Sequence, residues 1–307
     1  LDESHRFVLK DCQMNTLADA WERLAGSEYN NVIRDCLELR IRHRLCDWAY
    51  LLMLQELSDA YFGQNTNEST LLCAYLYCQS GYQMRLGLGN NRLYLLVASK
   101  HQIYESGYWE IDGMSYYPFN CQEQSLEICG ASFPDEQPLS LLVNESPLFT
   151  ERLADSRTLQ SERYPNVKAK VSSDENLVSF FATYPTSMLD DNFCTRWSFY
   201  ANTPMSERMK NQLYPALQGA IVGKSQYEAV NILLNFVQTA FVYEYDDKVW
   251  GGDRAFFAEE SLYYPYCDCE DRSILFSRLV RDLLGLKVLL VYYPGHLATA
   301  VHFTESV

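Results

Sequence analysis

The chain has 307 residues, 48% of them hydrophobic and 14% aromatic, so it can bury the core of a globular protein with two or three domains. Its 25 Lys and Arg residues against 40 Asp and Glu residues give a net charge of −15, which disfavours binding to a phosphate backbone. No apolar run reaches the roughly 18 residues that a membrane-spanning helix requires. We therefore predict a protein with no nucleic-acid partner and no transmembrane segment.

The first third of the chain predicts helices followed by short strands. Apolar residues at helical spacing cover residues 17–24 and 45–63, and a further helix over 67–82 stops at Gly81. Alternating apolar stretches then predict four strands, with "EIDGMSYY" as a hairpin turn between the last two: 82–88, 92–99, 108–113 and 115–119.

The middle of the chain differs in composition, because proline and serine are scattered through it. The alternating stretches "VKAKVSS" (167–173) and "LVSFFATY" (177–184) predict an antiparallel β-domain. Helical spacing returns at 205–221 and at 225–246.

The tail predicts a helix, a terminating glycine and two strands joined by a Pro294–Gly295 turn. Shifted back by 204 positions, this tail falls without a gap on residues 65–97, and helix, glycine and both strands coincide. The identical residues of the second copy lie at positions 273, 275, 285, 290, 297 and 301. We interpret the match as a distant internal duplication, with convergent helix–glycine–strand patterning as the alternative.

The stretch "YYPYCDCEDRS" holds Cys267 and Cys269, two of ten cysteines in the chain. Ten cysteines are too few for a disulfide scaffold, and no CxxC pair indicates zinc. A metal site, a bond between the two cysteines and one reactive thiol are the competing interpretations. Two thiols and one acid are a poor set of zinc ligands, so we predict no metal and no cofactor.

Cys269 lies at the expected start of the tail helix, which Asp268 can cap. The helix macrodipole there favours an anion and can lower a thiol pKa, whereas Glu270 and Asp271 oppose that effect. A reactive thiol at this position therefore needs a base. A buried, inert thiol is the alternative.

The chain has five histidines, of which His296 and His302 follow Cys269 on one predicted strand. His296 stands where that strand begins, an accessible position, and His302 lies on the same face six residues further along. A Cys–His pair built from a helix start and a strand start suits acyl transfer by a thiol.

The segment from "FVYEYD" through "CDCEDRSILFSRLVRDLLGLKVLLV" to "GHLATAVHF" resembles the transglutaminase-like core of the papain-like cysteine-protease superfamily. Its "DCED" run (268–271) is similar to that of bacterial members that act as cysteine proteinases. The resemblance covers about 207–307 well and 17–119 weakly. It implies Cys269 as nucleophile, His296 as its base, Cys267 as a non-catalytic neighbour, and a helix packed on an antiparallel sheet.

Two features depart from that family. Its third residue, an Asp that orients the histidine, lies on the strand after the His strand, and we expect that strand beyond Val307. In the first copy, Asn65 takes the place of Cys269 and Arg92 the place of His296, which predicts a degenerate, non-catalytic domain.

The fold prediction is α+β: a degenerate transglutaminase-like domain (1–120), a β-rich domain (121–205) and a transglutaminase-like catalytic domain (206–307) that is incomplete at its C-terminal end. The favoured function is a cysteine-dependent hydrolase, a peptidase acting on a protein or peptide substrate. The alternatives are a non-catalytic binding or scaffolding protein, and an amidase or transglutaminase acting on glutamine side chains. Because the sequence starts at Leu1 and the family is frequently exported, we expect an extracytoplasmic (periplasmic or secreted) bacterial protein, with a cytoplasmic one as the alternative.

Overall fold

The computed structural model of the chain describes residues 3–119, 125–129 and 135–305 and has a mixed α+β fold. Its helices are Met14–Leu24 (α1), Ser27–Arg42 (α2), Asp47–Phe62 (α3), Asn67–Gln79 (α4), Glu175–Phe181 (α5), Ser198–Asn202 (α6), Glu207–Ile221 (α7), Gln226–Thr239 (α8), Asp246–Val249 (α9), Ala258–Tyr263 (α10) and Cys269–Leu284 (α11). Its strands are Met84–Gly89 (β1), Arg92–Ser99 (β2), His101–Ile103 (β3), Trp109–Ile111 (β4), Met114–Phe119 (β5), Glu127–Ile128 (β6), Arg157–Gln160 (β7), Lys168–Val171 (β8), Ser187–Leu189 (β9), Val242–Tyr243 (β10), Tyr266–Cys267 (β11), Lys287–Tyr293 (β12) and His296–His302 (β13).

The chain divides into two compact units. Unit 1 comprises Leu1–Leu141 with Ser187–Asp191, and unit 2 comprises Leu142–Thr186 with Asn192–Val307. The predicted central domain, 121–205, is therefore divided between the two units. Residues 121–124 and 130–134 of that range lie outside the described residues.

Unit 1 is built on an antiparallel sheet that curls into a half-barrel, with strand order β4-β5-β2-β1-β6. The β4–β5 hairpin turns at Asp112 and Gly113, which both have positive φ, as the "DG" signal predicted. Helix α4 packs against β1 and β2, and α3 and α1 pack against α4. The middle of α4 is wholly buried, with Leu71, Leu72 and Leu76 at 0% exposure, so α4 forms the centre of the core of unit 1.

Unit 2 is organised around α11. Asp268 caps this helix in a reciprocal arrangement with Asp271, and Gly285 ends it in the left-handed conformation. Helices α6, α8 and α10 and strands β12 and β13 all pack against α11. The predicted helix, glycine stop and two strands are therefore confirmed for the tail.

Strands β12 and β13 form an antiparallel hairpin joined by the predicted Pro294–Gly295 turn. The register pairs Tyr293 with His296 and Lys287 with His302. Among the described residues, β13 pairs with β12 only. The edge of β13 that faces away from β12 therefore has no neighbouring strand among these residues.

Two predictions of secondary structure are wrong. Residues 177–184, read as a strand, lie largely in α5, because Asp174 caps a helix whose buried side chains at 177, 178, 180 and 181 have helical spacing. The helix predicted over 225–246 ends at Thr239, and the chain then enters the short strand β10.

Within the described residues, no helix is both long enough and apolar enough to cross a membrane.

Candidate active site

Cys269 is the first residue of α11, and the cap fixes its position. Oδ1 of Asp268 accepts the backbone N–H of Glu270 at 2.9 Å and that of Asp271 at 3.5 Å. Oδ2 of Asp271 accepts the N–H of Asp268 at 3.2 Å. Within the described part of the chain, the N–H of Cys269 has no acceptor, so it is available to a ligand at the helix terminus.

Two hydrogen bonds reach the sulfur of Cys269. The backbone N–H of Leu297 and the hydroxyl of Tyr243 both donate to Sγ, and both lower the thiol pKa. Burial outweighs them and raises the pKa above its ordinary value, with further increases from the charges of Asp268 and Glu270. The resting group near neutral pH is therefore a thiol.

His296 lies next to this contact. It is the exposed first residue of β13, directly before Leu297. The hydroxyl of Ser273, one turn along α11, donates to the carbonyl oxygen of Leu297 at 2.9 Å and holds the strand on the helix. Cys269 and His296 both line one cavity of about 500 Å³.

The cavity is bounded by α8, α11, β13 and Tyr243. Its lining residues are Tyr227, Val230, Asn231, Leu234, Val237, Gln238, Tyr243, Cys269, Arg272, Ser273, Phe276, His296, Leu297, Ala298, Thr299, Val301 and Phe303. His302 is not among them and pairs with Lys287 in the hairpin. Of the two downstream histidines, only His296 therefore shares a cavity with Cys269.

The open edge of β13 faces this cavity. Backbone groups in an antiparallel strand point alternately to one side and the other. Leu297 directs its N–H and C=O to α11, so Thr299 and Val301, which have the same parity, direct theirs away from β12. Both residues line the cavity, where an extended chain could pair with them.

Sequence reasoning gave no role to Tyr243. The parallel pairing of β10 with β11 sets Tyr243 opposite Cys267. The Arg272 guanidinium lies 5.0 Å from the Tyr243 ring centroid, and it donates to the carbonyls of Gln238 at 2.8 Å and Phe241 at 3.0 Å. Burial and the neighbouring Cys269 raise the pKa of Tyr243 to about 12, so its hydroxyl stays a donor.

Cys267 is buried, and burial raises its pKa to about 11. It forms no disulfide with Cys269, and all nine cysteines of the described residues are free.

Among the described residues, His296 has no carboxylate that orients its imidazole. Within residues 3–119, 125–129 and 135–305, no hydrogen bond or ion pair joins the His296 side chain to a carboxylate. The predicted orienting Asp, placed beyond Val307, lies outside the described residues.

Carboxylates close to one another surround the start of α11. One carboxylate oxygen from each of Asp246, Asp253 and Glu270 lies within 4.8 Å of the others, and Asp246 forms a second such group with Asp268 and Asp271. Burial, with a smaller contribution from neighbouring acids, raises the pKa of Glu270 to about 8 and that of Asp246 to about 6. The prediction of no metal rested on two thiols and one acid as zinc ligands, and Asp246 and Asp253 were not among the ligands considered.

In the first copy, the contact that Cys269 makes with Leu297 is made by a residue other than the aligned Asn65. Asn65 precedes α4, whereas Asn67 is its first residue and accepts the N–H of Leu93 on Oδ1 at 3.0 Å. Leu93 aligns with Leu297, so Asn67, two positions after the aligned Asn65, makes the contact with the strand that corresponds to the one made by Cys269. Arg92, aligned with His296, donates to Oδ1 of Asn65 at 3.1 Å.

Compared with models of known protein families, with curated proteins and with solved structures, the chain gives no match in any of the three.

Proposed function

We propose that the protein is a cysteine-dependent hydrolase that cleaves peptide bonds through a thioester acyl-enzyme, with Cys269 as nucleophile and His296 as base. One observation carries the proposal: the N–H of Leu297 contacts the sulfur of Cys269, which brings the adjacent His296 to the same cavity. The transglutaminase-like resemblance of the sequence assigns the same two residues.

The raised pKa of Cys269 makes the base essential. In the proposed reaction His296 takes the thiol proton as sulfur attacks the carbonyl carbon of the scissile amide. The C–N bond then breaks as the imidazolium returns that proton to the leaving amine. Water, deprotonated by His296, attacks the thioester, and the acid product leaves as the thiol re-forms.

The negative oxygen of each tetrahedral intermediate requires donors. The backbone N–H of Cys269 lies at a helix N-terminus and, within the described residues, has no acceptor of its own. The Tyr243 hydroxyl already contacts the sulfur and is a second candidate. We assign these two groups to the oxyanion.

An extended peptide is the substrate class that the cavity supports best. Thr299 and Val301 offer backbone groups to a pairing strand, and Val230, Leu234 and Phe276 offer apolar surface for its side chains. The same strand edge then leads to Leu297 beside the nucleophile.

The competing proposal is a non-catalytic binding protein. It is favoured by the protonated state of Cys269 and by the lack, among the described residues, of a carboxylate that orients His296. Loss of such an orienting group typically costs about four orders of magnitude in a Ser-His-Asp enzyme.

Alkylation rates separate the two proposals. Iodoacetamide labelling near neutral pH, followed for each cysteine by mass spectrometry of the peptides, has an internal reference in the exposed Cys194. The raised pKa of Cys269 slows alkylation, so we expect Cys269 to react faster than Cys194 only where His296 takes the thiol proton. His296→Gln should therefore slow Cys269 by about 10²-fold or more and leave Cys194 unchanged. A Cys269 that reacts no faster than Cys194, whether or not His296 is present, contradicts the enzyme proposal.

Digestion of a diverse peptide library identifies the reaction. Wild-type protein should cleave peptide bonds that Cys269→Ala leaves intact. Conversion of glutamine to glutamate without chain cleavage would instead identify an amidase that uses the same pair.

A further inference from the structure

A second cavity of unit 2, of about 730 Å³, adjoins the cavity beside Cys269. It lies between the turn that joins β7 to β8, the end of α7 and the first half of α8. Two residues of α8, Tyr227 and Asn231, line both cavities. A ligand in the first cavity can therefore extend into the second one past these two side chains.

Two walls lead from the nucleophile to the second cavity. Strand β13 starts beside Cys269, and beyond its end the ring of Phe303 lies 6.1 Å from the ring of Tyr227. Helix α8 runs in the opposite direction, from Tyr227 to Gln238, whose carbonyl accepts a hydrogen bond from the guanidinium of Arg272 at 2.8 Å. An extended peptide on the edge of β13 therefore passes between these walls from the thiol to the second cavity.

The length of the two walls sets the distance between the scissile bond and the second cavity. Leu297 and Phe303 are six positions apart on an extended segment, which corresponds to about 20 Å at about 3.3 Å per residue. Tyr227 and Gln238 are eleven positions apart on a helix, which corresponds to about 16 Å at about 1.5 Å per residue. An extended peptide covers this distance with about five or six residues.

The second cavity is lined by two cations that form no ion pair within the described part of the chain, Arg163 and Lys224. Both residues are exposed. The guanidinium of Arg163 lies over the ring of Tyr164, 5.5 Å from its centroid, and donates no hydrogen bond to any described residue. In a chain with a net charge of −15, two such cations at one cavity favour an anionic ligand there.

One carboxylate, that of Glu228, also lines the second cavity. Its Oε2 accepts the backbone N–H of Ser225 at 3.2 Å and the hydroxyl of Ser225 at 3.1 Å, which caps α8. These hydrogen bonds, and after them the charge of Lys224, lower the pKa of Glu228. The helix cap therefore uses this carboxylate, and the two cations outnumber it.

We propose that the second cavity binds a carboxylate of the peptide that occupies the cavity beside Cys269. The substrate is then an extended peptide with an acidic side chain, or its own C-terminal carboxylate, about five or six residues from the scissile bond. Arg163 offers paired N–H donors that match a carboxylate, and Lys224 offers a point charge. The inference rests on the proposed function for the position of the scissile bond, whereas binding of the carboxylate requires no catalysis.

Peptide binding by Cys269→Ala protein, which lacks the nucleophile, tests the proposal. The probes are pools of synthetic peptides long enough to span both cavities, acetylated and amidated at their ends, with Glu or Gln at one fixed position and mixed residues elsewhere. Peptides retained by the immobilised protein are quantified by mass spectrometry. We expect retention of Glu peptides to exceed that of Gln peptides by about 5-fold or more.

A third pool identifies the source of the carboxylate. It has Gln at the fixed position and a free C-terminal carboxylate in place of the amide. Stronger retention of this pool than of the amidated Gln pool shows that the cavity takes a chain end. Stronger retention of the Glu pool alone shows that it takes an acidic side chain.

Charge variants assign the site to the two cations. Lys224→Gln and Arg163→Gln should each reduce the preference for Glu by about 2-fold to 5-fold, and Lys224→Arg should keep it. Combined Lys224→Glu and Arg163→Glu should reverse it in favour of peptides with Lys at the fixed position. Lys170→Gln is the matched control, because Lys170 is an exposed cation of β8 that does not line the cavity, and it should leave the preference unchanged.

Cleavage of the same pools by the wild-type protein separates this inference from the proposed function. A protein that cleaves peptides but shows no preference for a carboxylate overturns the second-cavity site alone. A preference that Lys224→Gln and Arg163→Gln reduce, in a protein that cleaves nothing, overturns the hydrolase alone. Equal retention of all pools, including retention of none, refutes the inference, and so does an equal loss of preference in Lys170→Gln and Lys224→Gln.

Discussion

The two units contain the same motif, a helix followed by a β-hairpin, put to different use. In unit 1 this motif is α4, β1 and β2, and in unit 2 it is α11, β12 and β13. In each, the first side chain of the helix accepts a backbone N–H from the second residue of the second strand: Asn67 from Leu93, and Cys269 from Leu297. The scaffold therefore delivers a side chain to one fixed place, and the residue type decides what happens there.

Unit 1 closes that place with hydrogen bonds. Nδ2 of Asn67 donates to Sγ of Cys12 at 3.1 Å and to the carbonyl of Asn91 at 3.2 Å. In unit 2 the corresponding sulfur opens on the cavity that His296 shares. The first motif is a structural joint, and the second leaves its sulfur beside a cavity, as the proposed function requires.

The second strand of each motif also differs between the units, because one has a strand paired to its outer edge and the other has a cavity there. In unit 1, β5 lies along β2 and pairs with Leu95, Val97 and Ser99. The residues 204 positions later line the cavity of unit 2, and they are Thr299, Val301 and Phe303. An edge that unit 1 uses for its own sheet is, among the described residues, left open in unit 2.

Exchanging the two helix-start residues should have the largest effect. Cys269→Asn should reduce hydrolysis by more than about 10³-fold, because it removes the nucleophile. It should leave unit 2 folded, since Asn67 already accepts the equivalent N–H in unit 1. Peptide cleavage and circular dichroism measure the two effects.

The reverse exchange is the control. Asn67→Cys should give a thiol that labels no faster than Cys194, because Arg92 stands in the place of the base. Rapid labelling of that cysteine would mean that the helix terminus alone activates a thiol. It would contradict the conclusion that the two units differ in reactivity because only unit 2 has a base.

Matched Leu→Ala substitutions in the two helices test whether each helix contributes equally to the stability of its unit. Leu71 of α4 and Leu275 of α11 are aligned, and both are 0% exposed. Leu→Ala at either position should destabilise its own unit by about 2–5 kcal/mol. Peptide-level methionine oxidation in urea reads each unit separately, because Met84 in unit 1 and Met209 in unit 2 are buried.

If one Leu→Ala substitution lowered the free energy of unfolding by less than about 1 kcal/mol, the two helices would contribute unequally to stability. Such a result would show that the aligned residues do not occupy equivalent cores. Leu→Met at the same positions keeps the volume and should cost much less.

Proline substitutions separate the paired edge from the open one. Leu95→Pro removes a donor from the β2–β5 pairing and a buried apolar side chain, so it should destabilise unit 1 by at least about 2–5 kcal/mol. Thr299→Pro removes a donor that faces the cavity, so the stability of unit 2 should change by less than about 1 kcal/mol, while cleavage of extended peptides weakens. Methionine oxidation and peptide KM values measure the two effects.

An equal loss of stability at the two positions would contradict the open edge of β13. Thr299→Val, which keeps the backbone donor, should leave peptide cleavage unchanged.

The parts of unit 2 that the sequence predicted depend on local signals. The cap at Asp268, the stop at Gly285 and the Pro294–Gly295 turn are each encoded within a few residues, and they gave the helix, the hairpin and the neighbourhood of Cys269 and His296. The contact of Tyr243 with the sulfur and the meeting of Asp246 with Glu270 depend on tertiary packing between distant residues. No spacing rule reports such contacts.

Burial is the other quantity that the sequence could not provide. From the sequence, the helix terminus lowers the pKa of Cys269 and the two neighbouring acids raise it, which left the outcome open; desolvation in the folded unit raises it. For residues 177–184, alternation indicated a strand, and the capping Asp174 and the buried face of α5 show why a helix wins. A short apolar run fits the residue period of a strand and that of a helix, and only packing decides which of the two forms.

The pH dependence of stability should have opposite signs in the two units. In unit 1, burial lowers the pKa of His101, whose Nε2 accepts the N–H of Leu141 at 3.3 Å. The unfolded histidine titrates near 6.5, so unit 1 should lose stability as the pH falls below that value. In unit 2, burial raises the pKa of Glu260 to about 7 from an ordinary value of 4.5, so stability should fall as the pH rises from 4.5 to 7.

Each group contributes at most about 1.4 kcal/mol per pH unit, the smallest of the expected effects. Methionine oxidation in urea, repeated between pH 4.5 and 7, follows Met84 and Met209 in the same sample. His101→Gln should reduce the response of Met84. Glu260→Gln should reduce that of Met209 without abolishing it, because the raised pKa values of Asp246 and Glu270 give unit 2 a slope of the same sign. Parallel responses of the two reporters would show that the two units unfold together, and the contrast between their motifs would then have to be tested on activity alone.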